Sequence, residues 1–216
     1  MTHDLRLHSG ERQTATEYGQ IRADHRFRYE WAAARIPQGT FGLDVFCGNG
    51  YGTWFLSESR FVLGIDGSSE AIASADQSFR RPTNLFSAAY YPFELLAAAF
   101  DFVVALESIE HIRNGEKFFA ALCNSLKPSG TLIFSTPCED HLPHSATGNH
   151  FHYKHYTLAE TLEIAQTNGM KLVSYSGQDT YQITPEGRQG ALLAEDEMQL
   201  KAGAPGQFLI VHAAKN

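Results

Sequence analysis

The chain alternates short apolar runs with segments whose apolar residues recur at helical spacing. The runs are Gly42–Cys47, Phe61–Ile65, Asn84–Ala88, Asp101–Leu106, Thr131–Ser135, Lys171–Ser176 and Gln207–His212, each five or six residues long and so of strand length. Between them the pattern predicts helices over about 50–59, 68–79, 115–127 and 158–168, and an amphipathic helix from about Tyr18 to Ala34 precedes the first run. In 115–127, Phe118, Phe119, Leu122 and Leu126 share one face, and Pro128-Ser129-Gly130 supplies a stop. In 158–168, Thr157 and Glu160 form a Thr-x-x-Glu capping box, with Gly169 placed to end the helix. Strands that alternate with helices imply a mostly parallel sheet covered on both faces. About thirty residues without a clear helical pattern separate the last two runs, which suits an antiparallel terminal strand. The stretches 137–156 and 178–206 read as loops, and loops of that length in a compact domain are usually functional.

At 216 residues the chain is sized for one domain with a substantial core, and 19% charged residues are ordinary for a globular protein. No apolar run approaches the roughly 20 residues needed to cross a bilayer. The N-terminal MTHDLRLHSGER is too polar for a secretory signal, so the cytoplasm is the expected location. Cys47, Cys123 and Cys138 fall at no metal-ligand or redox spacing, which suits a reducing compartment. A formal net charge of −7 argues against a broad nucleic-acid-binding face, which would have to be basic.

The densest chemistry lies at Asp44-Val45-Phe46-Cys47-Gly48-Asn49-Gly50-Tyr51-Gly52. A strand that runs into a glycine turn brings backbone against a ligand where a Cβ would collide. The dinucleotide fingerprint Gly-x-Gly-x-x-Gly needs a third glycine where Thr53 stands, so the spacing leans away from NAD. The second run leads into Asp66, close to the ~20-residue offset at which a carboxylate meets ribose hydroxyls. The plainer role for Asp66 is a cap on the helix beginning near Ser68. Glu107, Glu110 and His111 follow the fourth run, and His141, His144, His150, His152 and His155 crowd into 137–156, five of the chain's ten histidines. An imidazole near neutrality suits proton removal from a hydroxyl, although a histidine-rich surface loop is more often simply solvated. Tyr90, Tyr91, Phe151, Tyr153 and Tyr156 either stack on a ligand or anchor their loops.

In their order, LDVFCGNGYG, VLGIDGSSEAIASA, FDFVVALESIEHI and LKPSGTLIFSTP resemble the class I S-adenosylmethionine-dependent methyltransferases, over roughly residues 40–137. The resemblance implies an α/β fold with a Rossmann-like, seven-stranded, mostly parallel sheet of order 3-2-1-4-5-7-6, strand 7 antiparallel, and helices on both faces. It implies S-adenosylmethionine as cofactor, with Asp44, Gly48 and Gly50 near its methionine part and Asn49 in the same loop. Asp66 would meet the ribose, with Gly67 beside it, and Glu107 would lie beneath the cofactor. Where the family often has an adenine-binding Asp, this chain has Ser87, followed by Ala88. One domain would then cover 1–216, with an N-terminal helical cap at 1–39, a cofactor-binding half at 40–136, and the acceptor loop and C-terminal strands at 137–216.

The flanks resemble a bacterial subfamily associated with surface glycans, including O-antigen chain-terminating methyltransferases. The matching residues are Gly10-Glu11-Arg12, His25-x-x-Arg28-Tyr29, Asn149-His150-Phe151-His152 and Gly177-Gln178. Arg28 would then meet the cofactor carboxylate, which a guanidinium fork suits. The expected reaction is O-methylation of a glycan-related or other small-molecule acceptor, with His111, Glu110 and His152 as catalytic candidates and no metal. A rival comes from Glu107-x-x-Glu110-His111 plus a downstream histidine, which resembles the metal-binding set of small-RNA 3′-terminal 2′-O-methyltransferases. A non-catalytic S-adenosylmethionine-binding protein and an NAD-dependent oxidoreductase are the other classes compatible with the glycine loop.

Overall fold

The computed structural model describes residues 6–7 and 12–216, so Gly10 and Glu11 lie outside the described residues. The expected continuous helix over 18–34 is broken at Ile21, where the backbone turns extended. A 3-10 turn at Tyr18–Gln20 precedes α1 (Ala23–Ala33). The buried face of α1 carries Asp24 and Arg28 beside Tyr29 and Trp31, so its burial follows polar pairing as much as an apolar stripe.

β1 (Phe41–Val45), α2 (Tyr51–Leu56), β2 (Phe61–Asp66), α3 (Ser69–Ser78), β3 (Asn84–Ala88) and β4 (Phe100–Ala105) follow in the predicted order. α4 (Gly115–Ser125) ends earlier than expected. Leu126 is already extended and opens β5 (Leu126–Pro137), so Pro128-Ser129-Gly130 lies within a strand and is not the stop. After the short α5 (His144–Thr147), α6 (Leu158–Thr167) starts with the predicted capping box. Thr157 Oγ1 accepts from the Glu160 N–H at 3.1 Å, and the Glu160 carboxylate accepts from the Thr157 N–H at 2.9 Å. Beyond β6 (Met170–Gln178), the stretch read as loop contains β7 (Tyr181–Ile183), β8 (Gln189–Leu192), a 3-10 turn at Glu195–Met198 and β9 (Lys201–Ala202). These pieces of two to four mostly exposed residues are too short to show a periodic pattern. β10 (Phe208–Lys215) closes the order.

Eight strands form one sheet, β3-β2-β1-β4-β5-β10-β6-β9, while β7 and β8 pair only with each other. The first five are mutually parallel, and β10 runs antiparallel between β5 and β6. Counting β6 as the sixth strand and β10 as the seventh gives the expected 3-2-1-4-5-7-6 order, extended at one edge by β9. Both faces are covered, which is why the core strands read as unbroken apolar runs. Along β4, Phe102 and Val104 join a layer with Tyr29, Trp31 and Leu56, whereas Val103 and Ala105 join one with Phe118, Phe119 and Leu122. No helix among the described residues is long and apolar enough to cross a membrane.

α1 sits close against α2 because Gly52 has no side chain, and a Cβ there would fall inside the Tyr29 ring. Gly52→Ala must push that ring away, and overpacking of this kind costs about 1–3 kcal/mol. Urea denaturation should show a lowered midpoint with an unchanged slope. An unchanged midpoint would contradict the close approach of the two helices.

Candidate active site

The carboxyl ends of β1, β2 and β4 open on a cavity of about 400 Å³. It is lined by Phe46, Gly48, Asp66 and Gly67 after β1 and β2, by Leu106 and Glu107 after β4, and by His111, Arg113 and Tyr153. Parallel strands end there together, so their last residues and following turns converge on one crevice.

The glycine loop is held in an unusual backbone path. Phe46, Gly48 and Gly50 have φ of 57°, 56° and 87°. Such angles strain a residue with a Cβ, and Phe46 is kept there by its ring, which stacks on Phe118 at 5.4 Å. Nothing lies within 4 Å of where a Gly48 Cβ would stand, so the loop offers bare backbone to the cavity. Gly50 turns the other way, and a Cβ there would strike Ala75 and Phe86. Its glycine serves packing on α3, not approach to a ligand.

Asp44 lies beneath the loop, fully buried, outside the residues that line the cavity. Its carboxylate accepts from Thr53 Oγ1 at 2.6 Å and from the Tyr29 hydroxyl at 3.2 Å. Thr53, which occupies the third-glycine position of the NAD fingerprint, thus serves as an anchor for Asp44. Burial pushes the Asp44 carboxyl up to about 7, with the charge of Asp66 adding to the shift and the two hydroxyl donors opposing it. Asp66 does reach the cavity. Its Oδ2 accepts from the Gly48 N–H at 3.0 Å, and its Oδ1 accepts from the Ser68 N–H at 2.8 Å and from Arg12 at 3.2 Å. It therefore braces the glycine loop as well as the start of α3. Asn49 is buried, lies outside the cavity lining, and donates from Nδ2 to the Ala15 carbonyl at 2.7 Å. Ser87 and Ala88 end β3 in exposed positions and do not line the cavity, whereas Tyr90 and Tyr91 just beyond them do.

Two glutamates occupy the turn after β4. Glu107 has φ 48°, and Ser135 Oγ donates to its Oε1 at 2.6 Å. Arg28 Nη1 lies 3.4 Å from the same oxygen. Arg28 is buried rather than an exposed helical arginine, and its Nε donates to Gln178 Oε1 at 2.6 Å. Glu110, also buried, finds no hydrogen-bond partner for either carboxylate oxygen. Burial, reinforced by the charge of Glu107, holds its carboxyl well above the usual carboxylate range.

The 137–156 loop folds back over this turn, where the Tyr153 N–H donates to the Glu110 carbonyl at 2.7 Å. That contact brings His152 against His111, with ring centroids 4.7 Å apart and edge to face. Glu110, His111 and His152 each present a ligand atom, and these atoms lie within 4.8 Å of one another. Glu107 is not in that group. The four-residue metal set read from the sequence is therefore three residues in space. His111 lines the cavity, with Glu110 and His152 behind it. Burial and the neighbouring histidines push His152 down to about 2, so its imidazole is neutral. Sequence reasoning assigned no role to Phe46, Gln13 or Asn114, which also line the cavity, because nothing in their local pattern distinguishes them.

A model of the methyltransferase domain family matches residues 18–175, most of the chain. The chain belongs to that family, and its sheet order and glycine loop place it in the class I, S-adenosylmethionine-dependent group. Over 125 residues it is 33% identical to the ubiquinone biosynthesis O-methyltransferase of Burkholderia thailandensis, a match covering 50% of each protein. Over 103 residues it is 32% identical to the Methylococcus capsulatus protein of the same description, covering 45% of this chain and 44% of that one. The chain spans about half the length of the curated relatives it matches. A crystal structure of B. thailandensis 1,6-didemethyltoxoflavin-N1-methyltransferase, with 1,6-didemethyltoxoflavin and S-adenosylhomocysteine bound, matches with a TM-score of 0.64. At 19% identity over 90% of this chain and 79% of that one, the likeness concerns the fold. The residues present fit S-adenosylmethionine: open backbone at Gly48, a carboxylate at Asp66 for hydroxyls, and room between them and Glu107.

The raised Asp44 carboxyl has a measurable consequence. The folded chain keeps this proton up to about pH 7, whereas an unfolded one releases it near pH 4. Because the folded state binds the extra proton, stability should fall as pH rises through that window and level off above it. Glu107 and Glu110 are shifted the same way, so Asp44→Asn should flatten the slope only in part. Denaturation midpoints from pH 4 to 8 check this, and a variant slope parallel to the wild type would contradict the Asp44 assignment.

Proposed function

We propose that the chain transfers the methyl group of S-adenosylmethionine to a hydroxyl oxygen of a small-molecule acceptor. The observation that carries this reading is one cavity in which the glycine loop and Asp66 meet Glu107 and His111. The cofactor supplies a methyl already activated on a sulfonium, so the protein has to bind it, align the acceptor and take up a proton. Gly48, Asp66, Gly67, Glu107 and Arg28 face the cavity and would hold the cofactor, while Asp44, Asn49 and Gly50 shape the loop from behind. Ser87 and Ala88 would contribute only at the rim. His111, which lines the cavity, would accept the acceptor's proton, and its grouping with Glu110 and His152 supports that role.

Two observations bear on the acceptor. The likeness to ubiquinone biosynthesis O-methyltransferases supports transfer to oxygen and an acceptor related to ubiquinone. The Asn149–His152 and Gly177-Gln178 motifs support a glycan-related one. The aromatic lining of Phe46, Tyr90, Tyr91 and Tyr153 suits the flat face of either.

One observation favours a second reading, in which the same transfer uses a divalent cation. The grouping of Glu110, His111 and His152, with both Glu110 oxygens unsatisfied, is a ligand set that a cation would complete. The RNA-directed version of this reading has the net charge of −7 against it.

A labelled-methyl assay over phenolic, glycan and RNA pools, with and without chelator, separates these readings. Transfer to a small hydroxyl acceptor is expected, unaffected by chelator, and His111→Ala should lower kcat by about 10²–10⁴-fold. Turnover abolished by chelator and by Glu110→Gln would replace the metal-free reading with the cation-dependent one. No transfer to any pool would contradict both.

A further inference from the structure

Behind His152 lies a second histidine, His155, which is 2% exposed and does not line the cavity. Its Nδ1 is 2.7 Å from the Leu142 carbonyl oxygen. A carbonyl oxygen only accepts, so Nδ1 of His155 carries a proton and, in the neutral ring, Nε2 is a lone pair. That Nε2 is 2.8 Å from His152 Nδ1. His152 must therefore donate through Nδ1, which leaves its own Nε2 unprotonated.

The other end of the chain fixes the same polarity independently. Asn149 Oδ1 accepts from the Phe151 N–H at 2.9 Å, which sets the orientation of the amide. Its Nδ2 then faces His152 Nε2 at 3.0 Å and donates to it. A backbone carbonyl at one end and a pinned amide at the other thus agree on one direction for every proton between them.

We infer that His155 is a positioning residue that locks His152 as the Nδ1–H tautomer, leaving Nε2 as the one nitrogen through which His152 acts beside His111 and Glu110. The inference rests on the proposed role of the Glu110–His111–His152 group and adds the residue that sets its proton arrangement. An isolated histidine can use either nitrogen, so without His155 the lone pair of His152 is no longer directed. In the free protein Asn149 occupies that lone pair, and its amide has to swing aside when His152 takes another partner. His155 never meets substrate and works only through its neighbour.

Long-range ¹H–¹⁵N spectra of the full chain at neutral pH read the tautomer of each ring directly. His152 and His155 should both appear with the proton on Nδ1. In His155→Leu, His152 should lose that signature, and kcat in the labelled-methyl assay should fall by about 10- to 100-fold, with S-adenosylhomocysteine affinity within twofold of wild type. His155→Gln retains a side-chain oxygen that can accept from His152 Nδ1, and should restore both the signature and most of the turnover. A wild-type His152 protonated on Nε2, or a His155→Leu chain that keeps the Nδ1–H signature, would overturn the inference. The spectra decide it without an acceptor, so failure of the methyl-transfer reading would be seen separately, as absence of turnover in the wild-type chain.

Discussion

A guanidinium keeps its charge at any pH the protein meets, so burying one obliges the fold to bring acceptors to it. Arg28 imposes that demand here. Its partners are Gln178 at the end of β6, Asp24 one turn back on α1, and Glu107 after β4, and its plane lies 4.4 Å from the Phe208 ring on β10. Gln178 extends the tie by donating to the carbonyls of Asp24 and Met198. One buried charge therefore fastens the N-terminal helix, the turn after β4 and the C-terminal strands to one another around the cavity. Glu107, in a left-handed conformation that a glutamate adopts only under constraint, is held from one side by this group and from the other by Ser135.

Much of this was legible in the sequence, and the rest was hidden for identifiable reasons. The parallel core was readable because strands buried on both faces become continuous apolar runs, and the start of α6 because a capping box is local. The break at Ile21 was not, since α1 buries Asp24 and Arg28, residues that a hydrophobic pattern counts as surface. The β7–β8 hairpin and β9 carry too few residues to establish a period. In the site, the motif residues Gly48, Asp66 and Glu107 do meet in one cavity. Asp44 and Gly50 stand one layer back, because one is fully desolvated under the loop and the other packs on α3. The meeting of His152 with Glu110 and His111 depends on a loop that returns across some forty residues of chain, and no spacing rule encodes that return.

A common electrostatic arrangement runs through the site. Asp44 and Glu110 are pushed toward their neutral forms by burial, and so is the imidazole of His152. Asp66 and Glu107 line the cavity together with Arg12, Arg28 and Arg113, so both signs of charge border the space. The other half of the site is the 137–156 loop, of which Tyr153 lines the cavity and His152 packs against His111. The two halves are joined at the 3-10 turn of Ile109–His111, where the Glu110 carbonyl receives Tyr153.

This cavity is where S-adenosylmethionine and its product are expected to bind. Calorimetric titration of the full chain with S-adenosylhomocysteine, alongside NAD, tests it most directly. One-to-one binding of S-adenosylhomocysteine is expected, weakening at least about tenfold in Asp66→Ala because a bidentate hydroxyl contact is lost, with no binding of NAD. Absence of binding heat with S-adenosylhomocysteine, or preferential binding of NAD, would contradict it.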